Sequence, residues 1–200
     1  MLEYALFVEG LSELTDLDKQ VDPRIVQAAY RAINSTADRA RTDSADEIRR
    51  QLNFPAAYLK PSQGRLIVSQ RANSSSLEAI ITGRRRATSL ARFVTSGTPG
   101  KRGVNVAVKP GRNVAMPSAF LMKLRSGNDI ETKNNLGLAI RTSKGARPDG
   151  AYKPTRIADG LWLLYGPSVD QAFKSVRKDV TPDAERHLAS EFSRLLDLRI

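Results

Sequence analysis

Between Asp22 and Asn53 the apolar positions Val26, Ala29, Ile33, Ala37, Ala40, Ile48 and Leu52 follow one another at steps of three, four or eight. Arg31, Asp38, Arg39, Arg41, Glu47 and Arg49 fill the positions between them. That pattern predicts a long amphipathic helix over 22–53, with a possible break at Asp43-Ser44. Asp22-Pro23 supplies a cap followed by proline at the first helical position, where a missing N–H costs nothing. Asn53-Phe54-Pro55 ends the helix, because the residue before proline is pushed out of the helical region.

Beyond residue 60 the period changes from 3.6 to 2. Leu66 and Val68 alternate, as do Leu77, Ala79 and Ile81, across Asn73-Ser74-Ser75-Ser76, which predicts a hairpin. Val104, Val106 and Val108 form a further strand that turns at Lys109-Pro110-Gly111-Arg112. Ala119–Leu124, then Leu136, Leu138 and Ile140, and last Trp162–Tyr165 complete an antiparallel sheet of five or six strands. The stretches 83–103 and 142–160 are rich in Gly, Pro, Lys and Arg and read as long basic loops.

Trp162–Tyr165 is halted by Gly166-Pro167, and Ser168 stands three residues before Gln171, the spacing of a capping box. Val169, Ala172, Phe173, Val176 and Val180 then recur at helical spacing. Thr181-Pro182 predicts a second start, with Ala184, Leu188, Phe192, Leu195 and Leu196 as its apolar stripe, so the region 168–198 reads as two C-terminal helices. The order helix, sheet, helices implies an α+β fold, one domain over 1–200, its basic sheet region at 60–165. Two hundred residues suffice to bury roughly 70% of the unfolded surface.

Candidate chemistry is sparse. The chain has no cysteine and one histidine, His187, so neither a Cys/His zinc site nor a histidine pair can be built. Gly97-Thr98-Pro99-Gly100-Lys101-Arg102 lacks the first glycine of a phosphate loop and has Arg102 where a magnesium-binding hydroxyl belongs. Asp43, Asp46 and Glu47 lie on one helix with no evident partners and read as a solvated face. No catalytic constellation, metal or cofactor is expected. The apolar runs are too short to span a membrane, and the amino-terminal residues, with Glu3 and Glu9 and no basic lead, are not expected to be a secretory signal.

Charge changes the picture more. The formal net charge of +11 is unevenly spread: residues 1–59 hold 7 Lys and Arg against 10 Asp and Glu, residues 60–160 hold 19 against 5, and residues 161–200 hold 6 against 6. The middle segment alone is therefore +14. Such a concentration suits a polyanion, contacted electrostatically and without sequence preference. Arg84, Arg85, Arg86, Lys101 and Arg102 are the densest candidates. Aromatic neighbours are few (Phe93, Phe120, Tyr152), so base stacking has little support.

Three stretches, "NVAMPSAFLMKLRSGN", "NLGLAIRTSKG" and "LWLLYGPSVDQAF", together resemble the minor tail protein Z and related tail-completion proteins of tailed phages. Pro117, Ala119, Phe120, Lys123, Gly127, Arg141, Leu164, Tyr165, Gly166, Pro167 and Ser168 carry the resemblance. It is strongest over 113–176, weaker over the helix containing "AINSTADRAR", and departs from the family pattern at Asn128–Asn134 and over 142–160. The resemblance implies a non-enzymatic virion protein that completes the head-proximal end of the tail and helps join tail to head. Its expected form is a homo-oligomeric ring, sixfold like a tail, around the DNA channel, with Arg84, Arg85, Arg86, Lys101 and Arg102 towards the lumen. Tail terminator or tube proteins and head–tail connector proteins are the implied partners, with no membrane. Its place would be the virion tail or neck after assembly in the host cytoplasm. The junction of Trp162, Leu164, Tyr165, Gly166, Pro167, Ser168 and Gln171 would hold subunits at a reproducible angle, as ring closure demands. An RNA-binding or ribosome-associated protein is the alternative that the basic middle also permits.

Overall fold

The computed structural model describes residues 5–6, 22–124, 136–143, 146–148 and 153–198. Gly127, Asn128–Asn134 and Tyr152, named above, lie outside them. An amino-terminal helix, a carboxy-terminal helix and a curled antiparallel sheet confirm the α+β class. The chain divides into two compact units, one of Met1–Ile48, Ala57–Arg84 and Asp170–Ile200, the other of Arg49–Ala56 and Arg85–Val169.

The first unit is organised by helix α1 (Pro23–Gln51). Its start is the expected one: the Asp22 carboxylate accepts the Arg24 backbone N–H at 2.8 Å and also the Arg24 guanidinium. Those hydrogen bonds hold the Asp22 carboxyl below its ordinary range. The helix does not break at Asp43-Ser44. Thr42 and Ser44 donate their hydroxyls back to the Asp38 and Ala40 carbonyls, at 3.0 and 2.6 Å, so neither competes with the helical backbone. Ala28, Ala29, Ala32, Ile33, Ala37 and Ala40 are buried. Ala32, Ile33 and Ala37 form a core with Ala72, Ala79 and Leu188, ringed by Tyr30, Val68, Leu77, Phe192 and Leu195.

A three-stranded antiparallel sheet belongs to this unit: β1 (Ala5–Leu6), β2 (Leu66–Gln70) and β3 (Ala79–Gly83), in the order β1–β3–β2. β2 and β3 are the hairpin read from the sequence, with Val68 opposite Ile81. Asn34 ties α1 to the hairpin by donating to the Ala72 carbonyl and accepting the Ala72 N–H, both at 2.9 Å. Arg71 adds a two-pronged pair with Asp38.

The carboxy-terminal region departs from expectation. Instead of two helices there is one, α2 (Val169–Asp197), with Pro182 inside it. Val176, Val180, Ala184 and Leu188 are all buried at steps of four, so one stripe runs past the proline. Keeping that stripe in register offsets the roughly 3 kcal/mol that an interior proline costs.

The second unit holds a seven-stranded antiparallel sheet, rather than the five or six strands expected. Its strands are β4 (Thr88–Ser89), β5 (Val94–Ser96), β6 (Arg102–Lys109), β7 (Arg112–Lys123), β8 (Leu136–Arg141), β9 (Lys153–Ala158) and β10 (Leu161–Gly166). The order is β4–β10–β8–β7–β6–β5, with β9 pairing β10 beside that path. β4, β5 and β9 lie in stretches read above as long loops, and a 3-10 turn at Leu90–Phe93 buries Leu90 and Phe93. The rings of Phe93 and Phe54 meet edge to face at 5.1 Å. Asn53 is stitched to β6, its backbone N–H donating to the Val108 carbonyl and its side chain to the Ala107 carbonyl, each at 2.9 Å.

Candidate nucleic-acid interface

The partition into units is also a partition of charge. Arg49–Ala56 and Arg85–Val169 carry 17 Lys and Arg against 4 Asp and Glu, a net of +13, whereas the other unit carries 15 against 17, a net of −2. Among the described residues of the basic unit the one acid is Asp159, and Arg156 pairs with it at 2.7 Å.

The five arginines and lysines picked out in the sequence have different surroundings. Arg84 belongs to the other unit and is half-buried. Its guanidinium donates to the Tyr58 hydroxyl at 2.8 Å, and its Nε is buried without an acceptor. The Arg65 guanidinium stacks 4.0 Å from the centre of the same ring. Arg84 N–H further donates to the Arg65 carbonyl at 2.8 Å, so Arg84 finishes the β2–β3 hairpin. Arg85 and Arg86 are exposed, as three arginines at a strand end should leave two. Lys101 and Arg102 are exposed at the turn into β6. There the Lys101 N–H closes on the Thr98 carbonyl at 3.1 Å, and Gly100, at φ 81°, donates its N–H to the Leu121 carbonyl at 3.0 Å. Glycine reaches that φ without steric cost.

The strand-to-helix junction is as the sequence places it. Leu164 and Ser168 are buried, Trp162, Tyr165, Gly166 and Pro167 half-buried, and Gln171 exposed. Ser168 immediately precedes Val169, the first residue of α2. Trp162 donates its indole N–H to the Thr142 hydroxyl at 3.2 Å, so the ring is anchored at the rim of the sheet and not wholly enclosed.

Two basic residues were passed over in the sequence as surface candidates, Arg141 at the end of β8 and Lys153 at the start of β9. Both are exposed. Arg141 lies 5.8 Å from the centre of the Phe120 ring, within cation–π range. Alternation through Gly137, Ala139 and Arg141 hinted at a shared face, but only cross-strand register shows which other basic residues join it.

Of the acidic cluster on α1, Asp46 is exposed and Asp43 pairs with Arg39 at 3.7 Å, whereas Glu47 is buried, contrary to a wholly solvated face. Among the described residues no group of three His, Cys, Asp or Glu could hold a metal ion, and no helix is long and apolar enough to cross a membrane. No family model, curated protein or solved structure matches the chain.

Proposed function

We propose that this protein is a structural component of a tailed-phage virion, one that completes the head-proximal end of the tail and helps join it to the head. It acts as a closed homo-oligomeric ring around the DNA path, between tail terminator or tube proteins and head–tail connector proteins. The observation that carries the reading is the confinement of the positive charge to one compact unit, net +13, while the other unit is net −2. A protein that borders DNA while binding protein neighbours needs that separation, because phosphate attracts one surface and must not capture the other. The Leu164–Ser168 motif and the Pro117–Phe120 strand support the same family reading through resemblance. A basic unit would serve an RNA-binding protein equally well, and the test separates the two.

That test is the particle. With the gene inactivated, the phage that encodes it is expected to yield filled heads and tails that fail to join, and complementation is expected to restore plaques. Negative-stain images of the purified protein should show rings. Co-sedimentation with ribosomes, with no effect on particle assembly, would replace this reading with the RNA-binding one.

A further inference from the structure

Pairing across the seven-stranded sheet places Arg102 of β6 opposite Phe120 of β7, Phe120 opposite Ala139 of β8, Ala139 opposite Leu163 of β10, and Leu163 opposite Thr155 of β9. Residues directly opposite one another project to the same face. Two positions along, Arg141 stands opposite Leu161, and two positions the other way Lys153 stands opposite Tyr165. Arg102, Arg141 and Lys153 therefore share one face with Phe120 and Tyr165, the three cations exposed around a buried centre of Ala139 and Leu163. Arg156, the residue neutralised by Asp159, lies opposite Trp162 and so projects to the other face. No ion pair engages Arg102, Arg141 or Lys153 among the described residues.

We propose that the exposed cations around this buried centre grip double-stranded DNA, with Arg102, Arg141 and Lys153 each bonding a backbone phosphate. The proposal rests on the DNA-path reading above and names the residues that would serve it. With strands about 4.8 Å apart and residues rising about 3.4 Å, Arg102 and Arg141 stand on the order of 12 Å apart at the backbone. A DNA strand presents about three phosphates over that distance. Guanidinium forks suit phosphate oxygens. Phe120 is half-buried with Arg141 beside its ring, so it braces the arginine and leaves no open platform for an unstacked base. That favours duplex over single strand. The face also differs from the Arg84–Arg86 loop, of which Arg84 is committed to Tyr58.

The experiment is fluorescence anisotropy of a short labelled DNA duplex titrated with the full-length protein across a salt series. Replacing Arg102, Arg141 and Lys153 together with glutamine is expected to weaken binding at least tenfold at about 0.1 M salt. It should also flatten the log–log salt dependence by about 2.7, some 0.9 for each lost phosphate contact. Should the triple variant fail to fold by circular dichroism, Arg102→Gln and Arg141→Gln singly are each expected to flatten it by about 0.9. Unchanged binding by the folded variants, or a loss produced instead by Arg85→Gln with Arg86→Gln, overturns the assignment. So does a preference for single-stranded DNA or for duplex RNA. Absence of any DNA binding by the wild-type protein also overturns it, while the tail-completion reading stands or falls separately on particle assembly.

Discussion

At Gly166 an added methyl group would lie 3.2 Å from the Phe93 ring and 3.3 Å from a Leu90 methyl. Both neighbours are fully packed, at 2% and 0% exposure, so neither has room to give. Gly166→Ala is expected to destabilise the protein by about 1–3 kcal/mol through overpacking, measurable by urea denaturation. Trp162 has a polar tether at Thr142 and a half-buried ring. Trp162→Ala should therefore cost about 2 kcal/mol, less than the 3–5 of an enclosed tryptophan. Trp162→Phe, which loses the N–H and little apolar area, should cost about 1 kcal/mol. A Trp162→Ala protein with unaltered melting that no longer forms rings would place the residue at a subunit interface. These junction residues were legible in the sequence because Gly166, Pro167 and Ser168 are strong local signals. The double engagement of Tyr58 by Arg65 and Arg84 was not legible, since the ring and its two cations come from separate segments.

Among the elements, those that bury a face were readable and those that do not were missed. α1, the β2–β3 hairpin, β6, β8 and β10 each set apolar residues at a fixed period. β9 is exposed along its length except at Pro154 and Leu-free throughout, so it has no buried side to impose alternation, and only its backbone pairing with β10 makes it a strand. β4 and β5 are two and three residues long, too short for any period. α2 misled in the opposite sense, its proline signalling a boundary that the buried stripe overrides. Pro182 is exposed and has no N–H to donate to the preceding turn, so Pro182→Ala should raise the melting temperature, worth about 1–3 kcal/mol. Near the same helix's end Glu191 accepts two hydrogen bonds from Arg194, at 2.8 and 2.7 Å, which hold its carboxyl below the ordinary range. The stability this lends is present above about pH 4.3, the unfolded value, and is lost as the pH falls through the lower folded value. Glu191→Gln is expected to flatten the acid limb of the melting-temperature profile and leave it unchanged in shape near neutrality.

For the whole molecule, the sequence located the charge by position along the chain, and the fold keeps nearly the same division, a unit of +13 and a unit of −2. The two divisions differ mainly because Lys60, Arg65, Arg71 and Arg84 lie in the middle segment of the sequence yet fold with the helices, where Asp38 and Tyr58 engage three of them. The grouping of Arg102, Arg141 and Lys153 was beyond reach, because strand order and register are tertiary facts. As the structural component proposed above, the purified protein is expected to hydrolyse neither nucleotides nor DNA with magnesium present. Metal-dependent cleavage of DNA that disappears in Asp43→Asn or Asp46→Asn would refute this.

The three-segment make-up of the helical unit has a consequence for the protein's birth. Ser35 of α1 meets His187 of α2 across 152 positions of chain. At about 5–20 residues per second, the ribosome needs roughly 8–30 s to deliver α2 after α1 has been made. Throughout that interval Ala32, Ile33 and Ala37 lack Leu188, their partner from the carboxy-terminal helix. The strands of the basic unit, all between Thr88 and Gly166, are synthesised inside that interval and can pair before α2 exists. The helical unit therefore completes this core only once α2 has been made, after the strands of the basic unit have had time to pair.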